Sequence, residues 1–140
     1  KTGASRNPQP ANDFRIDEEG KVQSSDHLFM DGAEIFNFTL EAVPALVNQL
    51  LEVNQLSRDD VDYYIFHQAN KFMLNTIRKV CVLPKDKFYV DLSHTGNTVS
   101  STVLIGLKDC LDNGTIQVGM KVMITGFGVG LSWGGLILQF

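Results

Sequence analysis

A chain of 140 residues, of which 44% are hydrophobic and 20% charged, is long enough to bury a core of its own. Its net charge of −4 argues against a nucleic-acid partner, and no apolar run approaches the length that crosses a bilayer. The two cysteines have neither disulfide nor metal-ligand spacing, and no metal site is predicted. These features predict a globular protein of a reducing compartment, with the cytoplasm as the expected location.

The first 29 residues are polar and contain few apolar side chains. They predict an irregular segment with a short hairpin, in which residues 14–17 and 21–23 pair across Glu19-Gly20. Such a segment is more typical of the middle of a protein than of a domain start, and the chain begins without methionine. We therefore expect a piece of a longer protein, with the domain proper at residues 30–140.

Residues 33–54 carry apolar side chains at helical spacing, with Pro44 in the middle. Because proline removes one helical hydrogen bond, a kinked long helix or two consecutive helices are expected. Strands are predicted at 61–66, 88–90, 121–127 and 131–140, and further helices at 70–82 and 98–111. This order predicts an α/β domain whose mixed, mostly parallel sheet is flanked by helices.

Two polar stretches, FHQAN at 66–70 and HTGNT at 94–98, each lie between a predicted strand and a predicted helix. Parallel strands bring such junctions to one edge of a sheet, where α/β proteins bind ligands. His67 and Asn97 together could hold a developing oxyanion, or His67 could act as an acid or base. The alternative at the first stretch is a surface histidine followed by an asparagine helix cap.

The glycine-rich GFGVG at 126–130 does not match a dinucleotide-binding loop, because an apolar strand instead of a helix follows it. A tight connection between two strands is predicted, with its backbone close to a site. Cys81 and Cys110 fall on apolar helical faces, so we expect both to be small buried hydrophobes and not nucleophiles.

Four ordered motifs resemble the C-terminal half of a β-ketoacyl-acyl-carrier-protein synthase III. They are MDGAEIF at 30–36, FHQAN at 66–70, HTGNT at 94–98 and GFGVGLSWG at 126–134. The resemblance implies a thiolase-like fold, of which this chain would be one of two pseudo-symmetric halves. Residues 1–29 would then lead in from the missing half.

The resemblance also implies a chemistry. Family members load an acyl group from acyl-coenzyme A onto a cysteine and condense it with malonyl-acyl carrier protein, with loss of carbon dioxide. His67 and Asn97 match the pair that holds the thioester carbonyl, His67 acting as a neutral imidazole donor, and Phe127 matches the aromatic residue beside them. The residues that match positions along the pantetheine arm are Gly32, Phe36 and Asn70. Coenzyme A thioester and phosphopantetheine enter as substrates, no resident cofactor is expected, and a homodimer is implied.

Three departures from the family pattern stand out. The nucleophilic cysteine belongs to the other half. Val129 replaces a glycine whose backbone N–H helps to hold the acyl-enzyme oxyanion in the family. Phe72 stands where the fatty-acid enzymes carry a basic residue for docking the carrier protein, although Lys71, Arg78 and Lys79 lie nearby in sequence.

Two other functions remain open at this stage. One is a paralogue that transfers an acyl group to a different acceptor with the same His67 and Asn97. The other is a non-catalytic thiolase-like module for dimerisation or acyl-chain binding. For any of the three, an interface with the missing half predicts exposed apolar side chains. Those expected there are Phe66, Leu92, Val99 and Val103.

Overall fold

The structure, a computed structural model, describes residues 13–26, 30–128 and 130–140. The predictions for residues 1–12, for residues 27–29 and for Val129 lie outside the described residues. The chain divides into two compact units, residues 1–34 and residues 35–140. None of the helices in the described ranges is long and apolar enough to cross a membrane.

The first unit contains the predicted hairpin. Strands β1 (Arg15–Ile16) and β2 (Val22–Gln23) pair antiparallel. Asp17 closes the turn between them, because its Oδ1 accepts hydrogen bonds from the backbone N–H groups of Glu19 at 3.0 Å and Lys21 at 2.8 Å. The hairpin prediction is confirmed.

Helix α1 runs unbroken over Gly32–Val53, with Pro44 inside it. Of the two expected arrangements, one long helix is therefore correct and two consecutive helices are wrong, although a proline in a helix interior costs about 3 kcal/mol. The helix is held by its buried face, since Val43, Leu46 and Val47 are at most 8% exposed. Burying side chains of this size contributes about 1.5–3 kcal/mol each, which outweighs the proline.

A three-stranded mixed sheet forms the centre of the second unit. Its strands are β3 (Tyr63–Phe66), β4 (Lys121–Gly128) and β5 (Ser132–Gln139), in the order β3-β4-β5. The pairing of β3 with β4 is parallel, and that of β4 with β5 is antiparallel. The parallel part and antiparallel end predicted from the element order are both present.

The predicted strand at 88–90 is reduced to one parallel bridge between Tyr64 and Phe88. The buried side chain of Gln68 is the physical reason. Its Nε2 donates to the Tyr89 carbonyl at 3.3 Å, and its Oε1 accepts from the Asp91 N–H at 3.1 Å. A side-chain amide thus satisfies the backbone groups that a longer strand would have paired, and the chain leaves the sheet.

Helices α2 (Lys71–Val80) and α3 (Ser101–Asp112) agree with the predicted helices, although each begins later in the chain than expected. One hydrophobic cluster joins α1, α2 and the Tyr64 and Phe66 side chains of β3. A second cluster joins Ile65 of β3 to Cys110 of α3. Because neighbouring residues of a strand point to opposite faces, α1 and α2 cover one face of the sheet and α3 the other.

The predicted exposure of apolar side chains is correct for Val99, which is 69% exposed, and wrong for Phe66, which is fully buried. Phe66 lies on the face that α1 and α2 cover, with its ring 5.0 Å from that of Phe88. Leu92 and Val103 are half-buried. Further exposed apolar side chains occur on α3 and β5, where Leu104 is 68% exposed and Trp133 is 54% exposed.

Gly135 of β5 lies where α1 packs closely against the sheet. A Cβ at this position would lie 2.7 Å from the Ile124 carbonyl oxygen and 2.9 Å from a Leu50 methyl of α1. We expect Gly135→Ala to lower the free energy of unfolding in urea by about 1–3 kcal/mol, as overpacking does. At the adjacent Gly134 an added Cβ meets nothing within 4 Å. Gly134→Ala is the matched control, and equal losses in both variants would contradict the packing argument.

Candidate active site

His67 follows β3 directly, and the parallel pairing fixes its backbone. Its N–H donates to the Thr125 carbonyl of β4 at 2.9 Å, which extends the ladder by one residue beyond β3. The imidazole is half-buried and lies against Phe127, with ring centroids 5.4 Å apart and planes at 80°. The histidine therefore stands at the carboxyl edge of the parallel strands, as predicted.

Burial lowers the pKa of His67 below its usual value of 6.5, and a hydrogen bond with the Val99 carbonyl opposes this effect only in part. Removal of water from the ring disfavours the charged imidazolium. The neutral imidazole is therefore the dominant form at neutral pH.

Asn97 reaches the same edge by a different route from the one predicted. It does not follow a strand; it lies in the segment between the single bridge at Phe88 and the start of α3. Its Oδ1 accepts a hydrogen bond from the Val99 N–H at 2.9 Å. Because that bond occupies the amide oxygen, the side chain presents its N–H₂ group as the remaining donor.

Val99 connects the two predicted residues through its backbone. Its N–H is bound by Asn97, and its carbonyl accepts from the Thr102 hydroxyl at 2.9 Å. The same hydroxyl lies 2.7 Å from Nδ1 of His67. This chain of contacts brings His67 and Asn97 to one edge of the sheet. That both reach one ligand atom at about 3 Å stays a prediction.

Val99 itself has a strained backbone, with φ at +57°. A β-branched residue with a positive φ is a true outlier and costs about 1–3 kcal/mol. Such strain persists only where the surroundings impose it, and here the bonds on both sides of Val99 do so. The segment that carries Asn97 is therefore held in place at an energetic cost.

The remaining predicted site residues have defined positions. Asn70 caps α2, since its Oδ1 accepts from the Met73 N–H at 2.8 Å. The helix-cap interpretation is thus confirmed for Asn70, and the cap occupies only the amide oxygen. Phe36 stacks on Phe72 with ring centroids 5.7 Å apart, and Phe72 is 72% exposed. Gly32 is the first residue of α1 and belongs to the first unit, so its role stays a prediction.

The glycine-rich stretch includes the end of β4, and β5 follows it, so it leads from strand to strand as predicted. Gly128 ends β4 and pairs with Ser132 at the start of β5. A phosphate-binding loop would require a following helix, which β5 replaces. Cys81 and Cys110 are buried, and burial raises the pKa of both thiols to about 11. Both therefore behave as the inert hydrophobes that the sequence predicted.

Sequence reasoning missed two residues of this edge, Gln68 and Thr102. The buried face of α3 consists of Thr102, Gly106 and Cys110, at intervals of four. That spacing was a usable signal that the Thr102 hydroxyl faces the sheet. Gln68 gave no such signal, because its bonds reach the distant segment 89–91.

Comparison with known proteins gives consistent matches. The family model described as 3-oxoacyl-acyl-carrier-protein (ACP) synthase III C terminal matches residues 51–140. The beta-ketoacyl-acyl-carrier-protein synthase III of Streptococcus gordonii is 35% identical over 114 residues, which make up 80% of this chain and 35% of that protein. The corresponding protein of Clostridium acetobutylicum is 32% identical, over 89% of this chain and 38% of its own. The chain thus spans little more than a third of the length of these curated relatives.

Solved structures agree. A crystal structure of 3-oxoacyl-(acyl-carrier-protein) synthase III is 42% identical with a TM-score of 0.89, over 96% of this chain and 41% of that one. The priming β-ketosynthase of the R1128 polyketide biosynthetic pathway is 30% identical with a TM-score of 0.75, over 80% of this chain and 34% of its own. The predicted thiolase-like fold is confirmed.

The lowered pKa of His67 has a consequence for stability. Between the unfolded value near 6.5 and the folded value, the unfolded chain binds more protons than the folded chain, so stability rises with pH there. We expect the free energy of unfolding in urea to fall as the pH drops from about 7.5 to about 5.5. His67→Gln should remove this part of the slope. An unchanged slope in the variant would show that His67 is not the responsible group.

Proposed function

Since the chain belongs to the 3-oxoacyl-(acyl-carrier-protein) synthase III family, we propose that it forms the C-terminal part of a decarboxylating condensing enzyme. The enzyme would join an acyl group from acyl-coenzyme A to malonyl-acyl carrier protein in fatty acid biosynthesis. The observation that carries the proposal is the contact chain from Asn97 through Val99 and Thr102 to His67. It holds an amide donor and an imidazole at the carboxyl edge of the parallel pair β3–β4.

The chemistry follows from what these groups can do. When the malonyl group loses carbon dioxide, the electron pair of the broken C–C bond becomes an enolate, whose charge rests on the thioester oxygen. Asn97 supplies an N–H donor to that oxygen, and an N–H of the His67 imidazole supplies a second. The enolate carbon then attacks the acyl thioester on the cysteine of the remaining part of the protein, and the thiolate leaves. No resident cofactor is needed, because the C–C bond supplies the electrons.

The substrate arm has candidate contacts in the same unit. Phe127 flanks His67, and the stacked pair Phe36 and Phe72 lies where α1 and α2 begin. Aromatic side chains of this kind suit the apolar stem of a pantetheine arm. Asn70 belongs to the same proposed set, whereas Gly32 lies in the first unit and is included only because it matches a family position.

Docking of an acidic carrier protein is supported by a groove beside α2. Its volume is about 570 Å³, and its lining includes the basic side chains of Lys71, Arg78 and Lys85 and one acidic side chain, Asp91. An excess of positive charge attracts phosphate and acidic surfaces. We therefore propose that this groove takes over from the basic residue that Phe72 replaces. A homodimer in the cytoplasm, completed by an N-terminal half, is part of the same proposal.

A second candidate is an acyltransferase that primes a different acceptor. It is favoured by the similarity to the priming β-ketosynthase of a polyketide pathway, which is 30% identical. The exposed, apolar Phe72 also favours an acceptor other than an acidic carrier protein. Both candidate functions use His67 and Asn97, so they differ in the acceptor of the acyl group and not in these two residues. A non-catalytic binding module would use neither residue.

The test uses the intact enzyme that contains this chain. We expect His67→Ala and Asn97→Ala each to lower carbon dioxide release from a malonyl thioester by about 10²–10³-fold, as loss of an oxyanion contact does. Loading of the enzyme by acyl-coenzyme A, followed by mass spectrometry, should continue in both variants. His94→Ala is the matched control, because His94 lies in the same segment as Asn97 with 82% of its side chain exposed.

The outcomes separate the candidates. Acyl loading with transfer to another acceptor and no carbon dioxide release would favour the acyltransferase. An enzyme that is neither loaded nor decarboxylating would leave only the binding module and overturn the proposal.

A further expectation concerns the 140-residue chain by itself. With radiolabelled acyl-coenzyme A and a malonyl thioester, we expect no β-ketoacyl product, because the two thiols of the chain are buried with pKa values of about 11. Proximity to a covalently held acyl group is worth several kcal/mol, and His67 and Asn97 do not replace it. Acylation of Cys81 or Cys110 faster than that of a free thiol would contradict this expectation.

A further inference from the structure

The side-chain amide of Gln68, the residue after His67, is bound entirely by backbone groups. Gln68 is only 2% exposed. Its Nε2 donates to the Phe66 carbonyl at 2.7 Å and to the Tyr89 carbonyl at 3.3 Å, and its Oε1 accepts from the Asp91 N–H at 3.1 Å. Because a carbonyl can only accept and a backbone N–H can only donate, these partners allow one orientation of the amide.

This amide stands between two chains that would otherwise pair directly. The single parallel bridge joins Tyr64 and Phe88. In a parallel ladder of that register, the next step would bond the Asp91 N–H to the Phe66 carbonyl. Both groups instead bind the amide of Gln68, which therefore separates the two chains at this point by its own width.

The separated chain is the segment that carries Asn97. Directly after Asp91 the segment folds back on itself, since the Gly96 N–H donates to the Leu92 carbonyl at 3.2 Å. Asn97 is the next residue in the chain. The bond from the Asp91 N–H to Gln68 therefore fixes the start of this fold.

The end of the same segment is also bound to Gln68, through its backbone. The Gln68 N–H donates to the Thr102 hydroxyl at 3.2 Å, and this hydroxyl donates to the Val99 carbonyl at 2.9 Å. The Val99 N–H in turn donates to the Asn97 side chain at 2.9 Å. One residue thus holds both the start and the end of the segment with Asn97, and that residue is covalently joined to His67.

We propose that Gln68 is a positioning residue, whose side-chain amide is the spacer that sets the separation between the imidazole of His67 and the amide of Asn97. The function of the spacer is to let both side chains reach one ligand atom. Gln68 is itself buried, so it acts only through these two side chains. The consequence for catalysis rests on the proposed function, whereas the positioning does not.

The test compares Gln68→Met with Tyr64→Phe in the intact enzyme that contains this chain. Methionine keeps the approximate length of the side chain and removes the amide. The control removes a different buried hydrogen bond, from the Tyr64 hydroxyl in β3 to the Arg58 carbonyl at 2.8 Å. The readouts are carbon dioxide release from a malonyl thioester and acyl loading from acyl-coenzyme A.

We expect Gln68→Met to lower the rate of carbon dioxide release by about 10–100-fold, because a displacement of about 1 Å is enough to cost about 10²-fold. Acyl loading should continue in this variant. Tyr64→Phe should keep the rate of carbon dioxide release within about twofold of the wild type, because the bond it removes is independent of the segment with Asn97.

A double-mutant cycle shows whether Gln68 acts through Asn97. Residues that act through one another have non-additive effects, whereas the effects of independent residues add. In the Asn97→Ala background, we expect the further loss caused by Gln68→Met to shrink to less than about threefold. A merely structural role would produce the same loss in both backgrounds.

Three results would overturn the proposal. The first is an equal loss in both backgrounds, and the second is a folded Gln68→Met enzyme that releases carbon dioxide at the wild-type rate. The third does not depend on whether a variant folds. In the wild-type chain, NMR should detect a scalar coupling across the hydrogen bond between the Asp91 amide nitrogen and the Gln68 side-chain carbonyl carbon. Absence of this coupling would show that the amide does not stand between the chains.

Failure of the proposed function gives a different result. If the wild-type enzyme does not release carbon dioxide, the positioning is measured by hydrogen exchange of the backbone amides at 91–97. These amides should exchange faster in Gln68→Met than in Tyr64→Phe, and equal exchange in the two variants would overturn the positioning role. Faster exchange without any condensing activity would refute the proposed function and leave the positioning role intact.

Discussion

The hydrogen bond from the His67 N–H to the Thr125 carbonyl is the contact on which the candidate site depends. It extends the parallel pairing of β3 and β4 beyond the last residue of β3, so the backbone of His67 is as rigid as the sheet itself. Parallel pairing also sets Phe127, two residues past Thr125, against the imidazole. The backbone of His67 is therefore positioned by the sheet and not by a loop.

The rest of the site is held by buried polar side chains in place of further strands. Gln68 ends the pairing at the Phe88 bridge by bonding the backbone of Tyr89 and Asp91. Thr102 then fastens the returning segment to His67 and to the Gln68 N–H. A buried polar group costs free energy unless it is hydrogen-bonded. Any other backbone path would break these hydrogen bonds, so each of them also disfavours the alternative conformations.

The elements that follow from the periodic spacing of apolar residues were predicted from the sequence. The features that depend on polar contacts between distant residues were missed. The spacing of Val43, Leu46 and Val47 predicted α1, and the apolar runs predicted the three strands of the sheet. The strand expected at 88–90 failed because Gln68, twenty residues earlier in the chain, takes its hydrogen bonds. The reason given for the position of Asn97 was wrong, since this residue is tied to the edge through the backbone of Val99 and does not follow a strand end.

The two members of the candidate site differ in their surroundings, and this difference has a chemical meaning. His67 is half-buried with its pKa lowered, whereas Asn97 is exposed and cannot titrate. A buried neutral imidazole costs little while it stays uncharged, and its affinity for a proton rises when a negative oxygen forms nearby. The energetic gain from His67 therefore appears as charge develops in the reaction and is small before it. Interactions that strengthen only in the transition state are the ones that accelerate a reaction.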